Sequence, residues 1–285
     1  MGKRIFSTFA LWAVAAIAII YGKSVGFSLI ICALALGANY EVCALLRGAG
    51  MSPMLKYVQV ATVLMFAAAT LPLGVASGFA GVVAAGLVVM PLFTLVKDPY
   101  GRFFADSVLP TVAVLFTVPF MLRYYALIAS VGAGYESVML AVWIIAAAKF
   151  SDVGAYVVGC AFGRHKMSPS ISPNKTWEGA VGGVVSAAAA GAIIAWLGAK
   201  YGIFYEHISP AMAAAVSMPV GVVAIVSDLL ESVFKRRMNV KDSGAIIPGI
   251  GGMLDLADSL ILCAPLAYFM VSVLAVAGFL CCGRC

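Results

Sequence analysis

Charge is what this sequence has least of. Only 11% of its 285 residues are Asp, Glu, Lys or Arg, against roughly 25% in a soluble domain. With 64% hydrophobic residues and a mean hydropathy of +1.07, that shortage excludes an ordinary soluble globule. No segment is long enough or polar enough to make a separate soluble domain. Acids are scarcest at the start, where residues 1–135 hold only Glu41, Asp98 and Asp106. An internal repeat is also missing, which weighs against a transporter built from inverted halves. Cys281, Cys282 and Cys285 cluster at the end of the chain, but the tail supplies no fourth ligand, so a closed zinc site is disfavoured. Lipidation or no role fits them better. Cys32, Cys43, Cys160 and Cys263 sit in apolar runs and read as small core residues.

What is present is long apolar sequence. A spanning helix needs about 20 mostly apolar residues. Such stretches fall near 6–22, 25–46, 57–75, 78–96, 108–130, 137–160, 179–199, 209–230 and 259–280. The expected fold class is therefore all-α: a polytopic integral membrane protein with about nine transmembrane helices. Lys3 and Arg4 before the first stretch resemble the start of a signal peptide. A retained helix is the better reading, because the second stretch follows after only Gly22, Lys23 and Ser24.

Orientation follows from the cations. If the loops alternate, one side collects Lys3, Arg4, Arg47, Lys56, Lys97, Arg102, Arg164, Lys166, Lys175, Lys235, Arg236, Arg237 and Lys241. The other side collects Lys23, Lys200 and Arg284. Thirteen against three is a strong positive-inside bias. It predicts a cytoplasmic N-terminus. The net charge of +6 should draw the cytoplasmic face towards anionic lipid.

The two halves differ in purpose. Residues 1–135 read as membrane scaffold helices, and residues 136–285 as a catalytic membrane domain with cytoplasmic loops at 161–177 and 235–254. Residues 228–258 are the densest polar stretch, with five carboxylates and four cations. Asp228, Glu231, Ser232 and Lys235 share one helical face by their spacing, and so do Asp255 and Asp258. If the two helix ends meet, three or four carboxylates surround one point. Oxygen donors of this kind suit Mg²⁺ or Mn²⁺. The plainer alternative is that Asp255 and Asp258 favour a helix N-terminus and that Asp228 pairs with Lys235.

Lys235, Arg236, Arg237 and Lys241 beside those acids suggest polyanion binding. The run Pro248-Gly249-Ile250-Gly251-Gly252 offers backbone amides that can approach a phosphate. Asp152 lies inside an apolar helix, where an ionisable group is a functional candidate, although Lys149 could simply neutralise it. Ser172-Pro173-Asn174-Lys175-Thr176-Trp177 combines a turn, a cation, a hydroxyl and an aromatic at the mouth of the next helix. Thr176 suits a helix cap and Trp177 an interfacial anchor. The functional alternative is a nucleotide pocket with Lys175 on phosphate.

The stretch Ser232-x-Phe234-Lys235-Arg236-x4-Lys241-Asp242-x-Gly244-x3-Pro248-Gly249-x-Gly251-Gly252-x2-Asp255-x2-Asp258 closely resembles the signature of the phosphatidate cytidylyltransferases, or CDP-diacylglycerol synthases. Asp152-Val-Gly154-Ala155-Tyr156 and Ser172 to Gly179 resemble the same family. The likeness is strong over about 143–262 and faint before it. Two positions depart from the family pattern: Ile250 stands where His is usual, and Leu256 where Arg is usual.

The resemblance implies transfer of CMP from CTP to phosphatidic acid in phospholipid biosynthesis, with Mg²⁺ as cofactor and stimulation by K⁺. It implies Asp228, Asp255 and Asp258 on the metal. Lys235, Arg236 and Lys241 would hold phosphates. Asp152, Ser172, Lys175, Thr176, Trp177, Ser232, Asp242, Gly251 and Gly252 would line the substrate site. A bacterial inner membrane location, with the site facing the cytoplasm, follows from the same likeness. The partners are then the two substrates and the bilayer, without nucleic acid, and a homodimer is compatible. The rivals are a CTP-dependent polyprenol kinase-like enzyme and a cation-coupled transporter. A transporter would place acids near the bilayer midplane, whereas these gather at helix ends beside basic loops.

Overall fold

The protein is described by a computed structural model covering residues 2–70, 101–132, 134–205, 207–244 and 251–279, with side chains from residue 16 onward. Helix predominates. We number the helices α1 (Gly2–Gly48), α2 (Leu55–Thr70), α3 (Phe104–Ala129), α4 (Tyr135–Phe162), α5 (Trp177–Tyr201), α6 (Pro210–Arg237) and α7 (Met253–Val276). Among the described residues, six helical spans are long and apolar enough to cross a membrane: Ala16–Gly48 within α1, and α3 to α7. The shorter α2 is also apolar. The expected segment at 78–96 lies outside the described residues, as do Pro248 to Ile250 and the C-terminal cysteines.

The first two expected segments fall within α1, which breaks at Lys23 (φ 48, ψ −130). Residues 18 and 26 of a straight helix would be about 12 Å apart. Here a Cβ on Gly26 would lie 1.9 Å from the Ala18 carbonyl oxygen. The chain therefore bends back sharply, at the place where Gly22, Lys23 and Ser24 interrupt the apolar pattern. The whole element has 47 residues. A straight helix of that length would run about 70 Å, far beyond a bilayer core of about 30 Å.

The chain forms two compact units: Met1–Leu127 with Arg237–Ala257, and Ile128–Arg236 with Asp258–Cys285. Arg237–Ala257 joins the earlier helices. In the first unit, buried polar groups tie helices together. Asn39 Nδ2 donates to Thr62 Oγ1 (2.8 Å), and Gln59 Nε2 donates to the Leu36 carbonyl (3.0 Å). Thr111 Oγ1 accepts from the Met54 amide (2.9 Å). Without water to compete, such bonds help hold membrane helices together. Helix α3 carries two π-helical turns, Phe104–Val108 and Phe116–Phe120. Pro119 lies in the second and can donate no backbone hydrogen bond there.

In the second unit, small residues let α4, α5 and α6 approach closely. A Cβ on Gly154 would lie 2.0 Å from Ser186 Oγ, and one on Gly182 would lie 2.5 Å from the Val158 side chain. A Cβ on Gly191 would meet Ser217 Oγ at 2.1 Å. Lipid is as apolar as these helices, so close van der Waals packing of this kind drives their association. Trp143 is fully buried and donates from Nε1 to Ser217 Oγ (3.0 Å). Gly202, left-handed at φ 66, closes α5, and the Ile203 amide reaches back to the Gly198 carbonyl (3.0 Å).

Candidate active site

The second unit gathers acids from two helices. Asp228 and Glu231 sit one turn apart near the end of α6. Asp258 comes from α7. One carboxylate oxygen from each of Asp228, Glu231 and Asp258 lies within 4.8 Å of the others. Two like charges at that distance repel by about 3 kcal/mol at an effective dielectric constant of about 20. Such a group needs cations.

Lysines from three different elements supply them. Lys235, one turn beyond Glu231, places Nζ 2.8 Å from Glu231 Oε2. Lys175 reaches Asp228 Oδ2 at 2.8 Å. Lys149 on α4 lies 3.5 Å from Asp258 Oδ1 and 3.8 Å from Asp152 Oδ2, and donates to Ser259 Oγ (2.8 Å). Four carboxylates (Asp152, Asp228, Glu231, Asp258) therefore meet three ammonium groups, a formal balance of −1. The backbone is fixed as well: Ser227 Oγ donates to the Asp258 carbonyl, and the Leu262 amide donates to Ser227 Oγ (3.4 Å).

Lys175 is delivered by an element that the sequence does not announce. The expected loop at 161–177 contains an antiparallel hairpin, β1 (Lys166–Ser168) paired with β2 (Ser172–Thr176), with Ser168 opposite Ser172 and Lys166 opposite Thr176. Its base is lashed by Glu178, which accepts from the Arg164 amide (3.1 Å) and faces His165 Nδ1 at 2.5 Å. Its tip is held by Arg236, whose Nε donates to the Ile171 carbonyl (3.4 Å). Thr176 caps α5, accepting from the Gly179 amide (3.1 Å), and is buried. Gly159, Gly163 and Gly179 close around it; a Cβ on Gly163 would lie 2.8 Å from Thr176 Oγ1. Trp177 beside it is 59% exposed, which suits an interfacial anchor.

Lys241, Asp242, Gly251, Gly252 and Asp255 lie in the first unit. Lys241 and Asp242 are exposed. Gly251 has φ 128, a conformation that a side chain would strain. The Gly252 amide donates to Asp255 Oδ2 (3.0 Å), so Asp255 reaches back to the residue preceding α7. Glu41 of α1 takes the next donors of the same helix start, the Met253 amide on Oε1 (3.0 Å) and the Leu254 amide on Oε2 (2.8 Å).

The structure thus brings together Asp152, Lys175, Asp228 and Asp258 from the expected set, with Lys235 beside them. Asp255 is engaged at the helix start, and Arg236 on the hairpin. Ser232 is half-buried on α6. Glu231 and Lys149 join the cluster. Both have a sequence signal: Glu231 lies one turn after Asp228, and Lys149 is a cation inside an apolar run. The Glu41 contacts have no such signal, because its acceptors are filled mainly by backbone amides 212 and 213 residues away.

The fold and this group define a class: helical membrane proteins that carry a carboxylate cluster paired with lysines. Within that class, the chain belongs to the cytidylyltransferase family, whose profile matches residues 2–274. It is similar to the phosphatidate cytidylyltransferase of Rickettsia bellii, 40% identical over 119 residues, covering 42% of this chain and 52% of the relative. The phosphatidate cytidylyltransferase of Haemophilus influenzae is 36% identical over 141 residues, 49% of this chain and 48% of the relative. That of Synechocystis sp. is 41% identical over 124 residues, 44% of this chain and 40% of the relative. The chain spans about half the length of the curated relatives it matches.

Proposed function

We propose that this protein transfers CMP from CTP to phosphatidic acid, giving CDP-diacylglycerol and pyrophosphate. The observation that carries the reading is the group formed by Asp228, Glu231 and Asp258 with a lysine on each member. In this reaction an oxygen of the lipid phosphate attacks the α-phosphorus of CTP. The bond from that phosphorus to the bridging oxygen breaks, and pyrophosphate leaves with the electron pair. The nucleophile is already anionic, so no general base is required. The difficulty is bringing two polyanions together.

The donor set fits Mg²⁺: three carboxylates at close range, with coordination completed by water and phosphate oxygens. Mg²⁺ held there would offset charge on the attacking and leaving phosphates. Asp228, Glu231 and Asp258 are the proposed ligands, with Asp255 contributing charge from the start of α7. K⁺ stimulation belongs to the same reading. Lys175 and Lys235, already beside the carboxylates, hold phosphate oxygens when substrate arrives. Arg236 extends this cradle, and the family resemblance assigns phosphate contacts to Lys241 and to the amides of Gly251 and Gly252 as well. Lys149 holds Asp152 and Asp258 apart from each other's repulsion. Ser172, Trp177 and Ser232 complete the substrate site in the second unit, and the resemblance assigns Asp242 to substrate binding too.

Exposed apolar side chains such as Phe150, Val153 and Val157 on α4 suit acyl chains alongside the helix. The cation bias supports a cytoplasmic N-terminus and about nine spans, and the family resemblance supports a bacterial inner membrane location with the site open to the cytoplasm. The first half serves as scaffold, and the reaction is the same for a monomer or a homodimer. Incubation of purified protein with labelled CTP, phosphatidic acid and Mg²⁺ tests the reading. Lipid-linked CMP is the expected product, and its absence across salts and detergents would overturn the proposal.

A further inference from the structure

Helix α4 ends at Phe162 and α5 begins at Trp177, and the hairpin of β1 and β2 lies between them. A two-stranded hairpin is marginally stable alone. This one is short, with three residues in β1 and five in β2, and its register shifts between Lys166 and Ser168. Strand pairing by itself therefore holds the register weakly, and a slip of one residue would turn Lys175 to the other face.

Glu178 supplies the missing constraint. An acid in the first turn of a helix commonly serves that helix's own amide end, but here Thr176 already takes the Gly179 amide. The Glu178 carboxylate crosses instead to the residues that precede β1. Oε2 accepts from the Arg164 amide (3.1 Å) and the His165 amide (3.2 Å), and Oε1 faces His165 Nδ1 at 2.5 Å. Opposite a carboxylate, Nδ1 is the donor. The Trp177 amide donates in turn to the His165 carbonyl (3.0 Å). His165 thus commits its amide, its carbonyl and its ring to the two residues that open α5. The pair is at the surface, with side chains 79% and 27% exposed. Such a pair adds little to stability; what it fixes is the meeting of the hairpin's two ends.

We propose that Glu178 is a positioning residue: by clasping Arg164 and His165 it sets the register of the hairpin and so holds Lys175 on Asp228. Every residue in this chain of contacts belongs to the second unit. The catalytic consequence rests on the function proposed above. Glu178 acts through Lys175, three residues before it, and not on the reacting atoms. A lysine ordered before substrate arrives spares binding energy that would otherwise be consumed in ordering it.

Glu178→Gln keeps the shape but turns an amide NH₂ towards at least one of the three donors. The first readout needs no activity: labelling of Lys175 by acetic anhydride, followed by mass spectrometry, with Lys200 at the far end of α5 as internal reference. Lys175 should label several-fold faster relative to Lys200, while the thermal unfolding midpoint stays put. The second readout is turnover, where kcat should fall by about tenfold. That loss should largely vanish in a Lys175→Met background, because Glu178 works through that lysine. A loss of equal size in both backgrounds would overturn the inference. His165→Ala removes the ring donor alone and should move Lys175 labelling the same way but less, which carries the test if Glu178→Gln folds poorly. Unchanged labelling in a folded variant of either kind would also overturn it. Wild-type protein that makes no lipid-linked CMP would reject the proposed activity instead, and Lys175 labelling would still decide whether Glu178 positions that lysine.

Discussion

Lys175 Nζ lies 2.8 Å from Asp228 Oδ2, joining the hairpin strand β2 to helix α6. Both side chains are mostly buried, at 22% and 29% exposure. The contact ties the element that sequence reading treats as a loop to the acid that it treats as a metal ligand. It holds a positive charge beside the carboxylate group that the proposed function assigns to metal and phosphate.

Replacing Lys175 should therefore harm catalysis more than folding. Lys175→Met keeps the apolar stem and removes the ammonium. Loss of one preorganised charged donor costs on the order of 10²–10³ in turnover. A double-mutant cycle with Asp228→Asn should show strong coupling, because the two groups share one interaction. Additive effects on kcat would mean that Lys175 and Asp228 work independently, contrary to the geometry.

The spanning helices are legible because each is a long apolar run with charges at its ends. The break at Lys23 is legible for the same reason. The hairpin is not: Ser172-Pro173-Asn174 has turn chemistry, and β1 has only three residues. Its pairing depends on Glu178 and Arg236 from either side. Of the site, the acids of α6 could be read from helical spacing alone. The pairing of Lys149 with Asp258 could not, since 109 residues separate them. Glu41 was hidden for a different reason: backbone amides leave no mark in a side-chain pattern.

Thr176 distinguishes structural from substrate roles in the hairpin. Its hydroxyl accepts the Gly179 amide at the first turn of α5. Thr176→Ala should cost about 1 kcal/mol of stability, the usual value of such a cap, and Thr176→Ser should restore most of it. Thermal unfolding in detergent reads this directly. An unchanged midpoint together with weakened CTP binding would move the hydroxyl from the helix to the nucleotide.

Leu256 stands where the family signature carries Arg, near the start of α7. Leu256→Arg restores the cation of the family pattern and, under the proposed function, should lower the KM for CTP or phosphatidic acid several-fold. Steady-state kinetics with each substrate varied in turn would show it. Unchanged KM values for both would mean that the lysines already supply the charge this site can use.

Asp255 and Asp258 stand one turn apart on α7 but are held differently. Asp255 Oδ2 takes the Gly252 amide (3.0 Å), whereas Asp258 belongs to the carboxylate group with Asp228 and Glu231. Asparagine keeps an oxygen that can accept the Gly252 amide, so Asp255→Asn should leave α7 capped and the protein stable. It nevertheless removes a negative charge. If that charge serves the metal and phosphates, turnover should be abolished while the unfolding midpoint stays put. Asp258→Asn should also abolish turnover, and should weaken binding of Mn²⁺ measured by electron paramagnetic resonance, because one of the three proposed ligands is lost. Wild-type turnover in Asp255→Asn, beside an inactive Asp258→Asn, would confine Asp255 to the helix start. Wild-type turnover in both would remove the metal site itself.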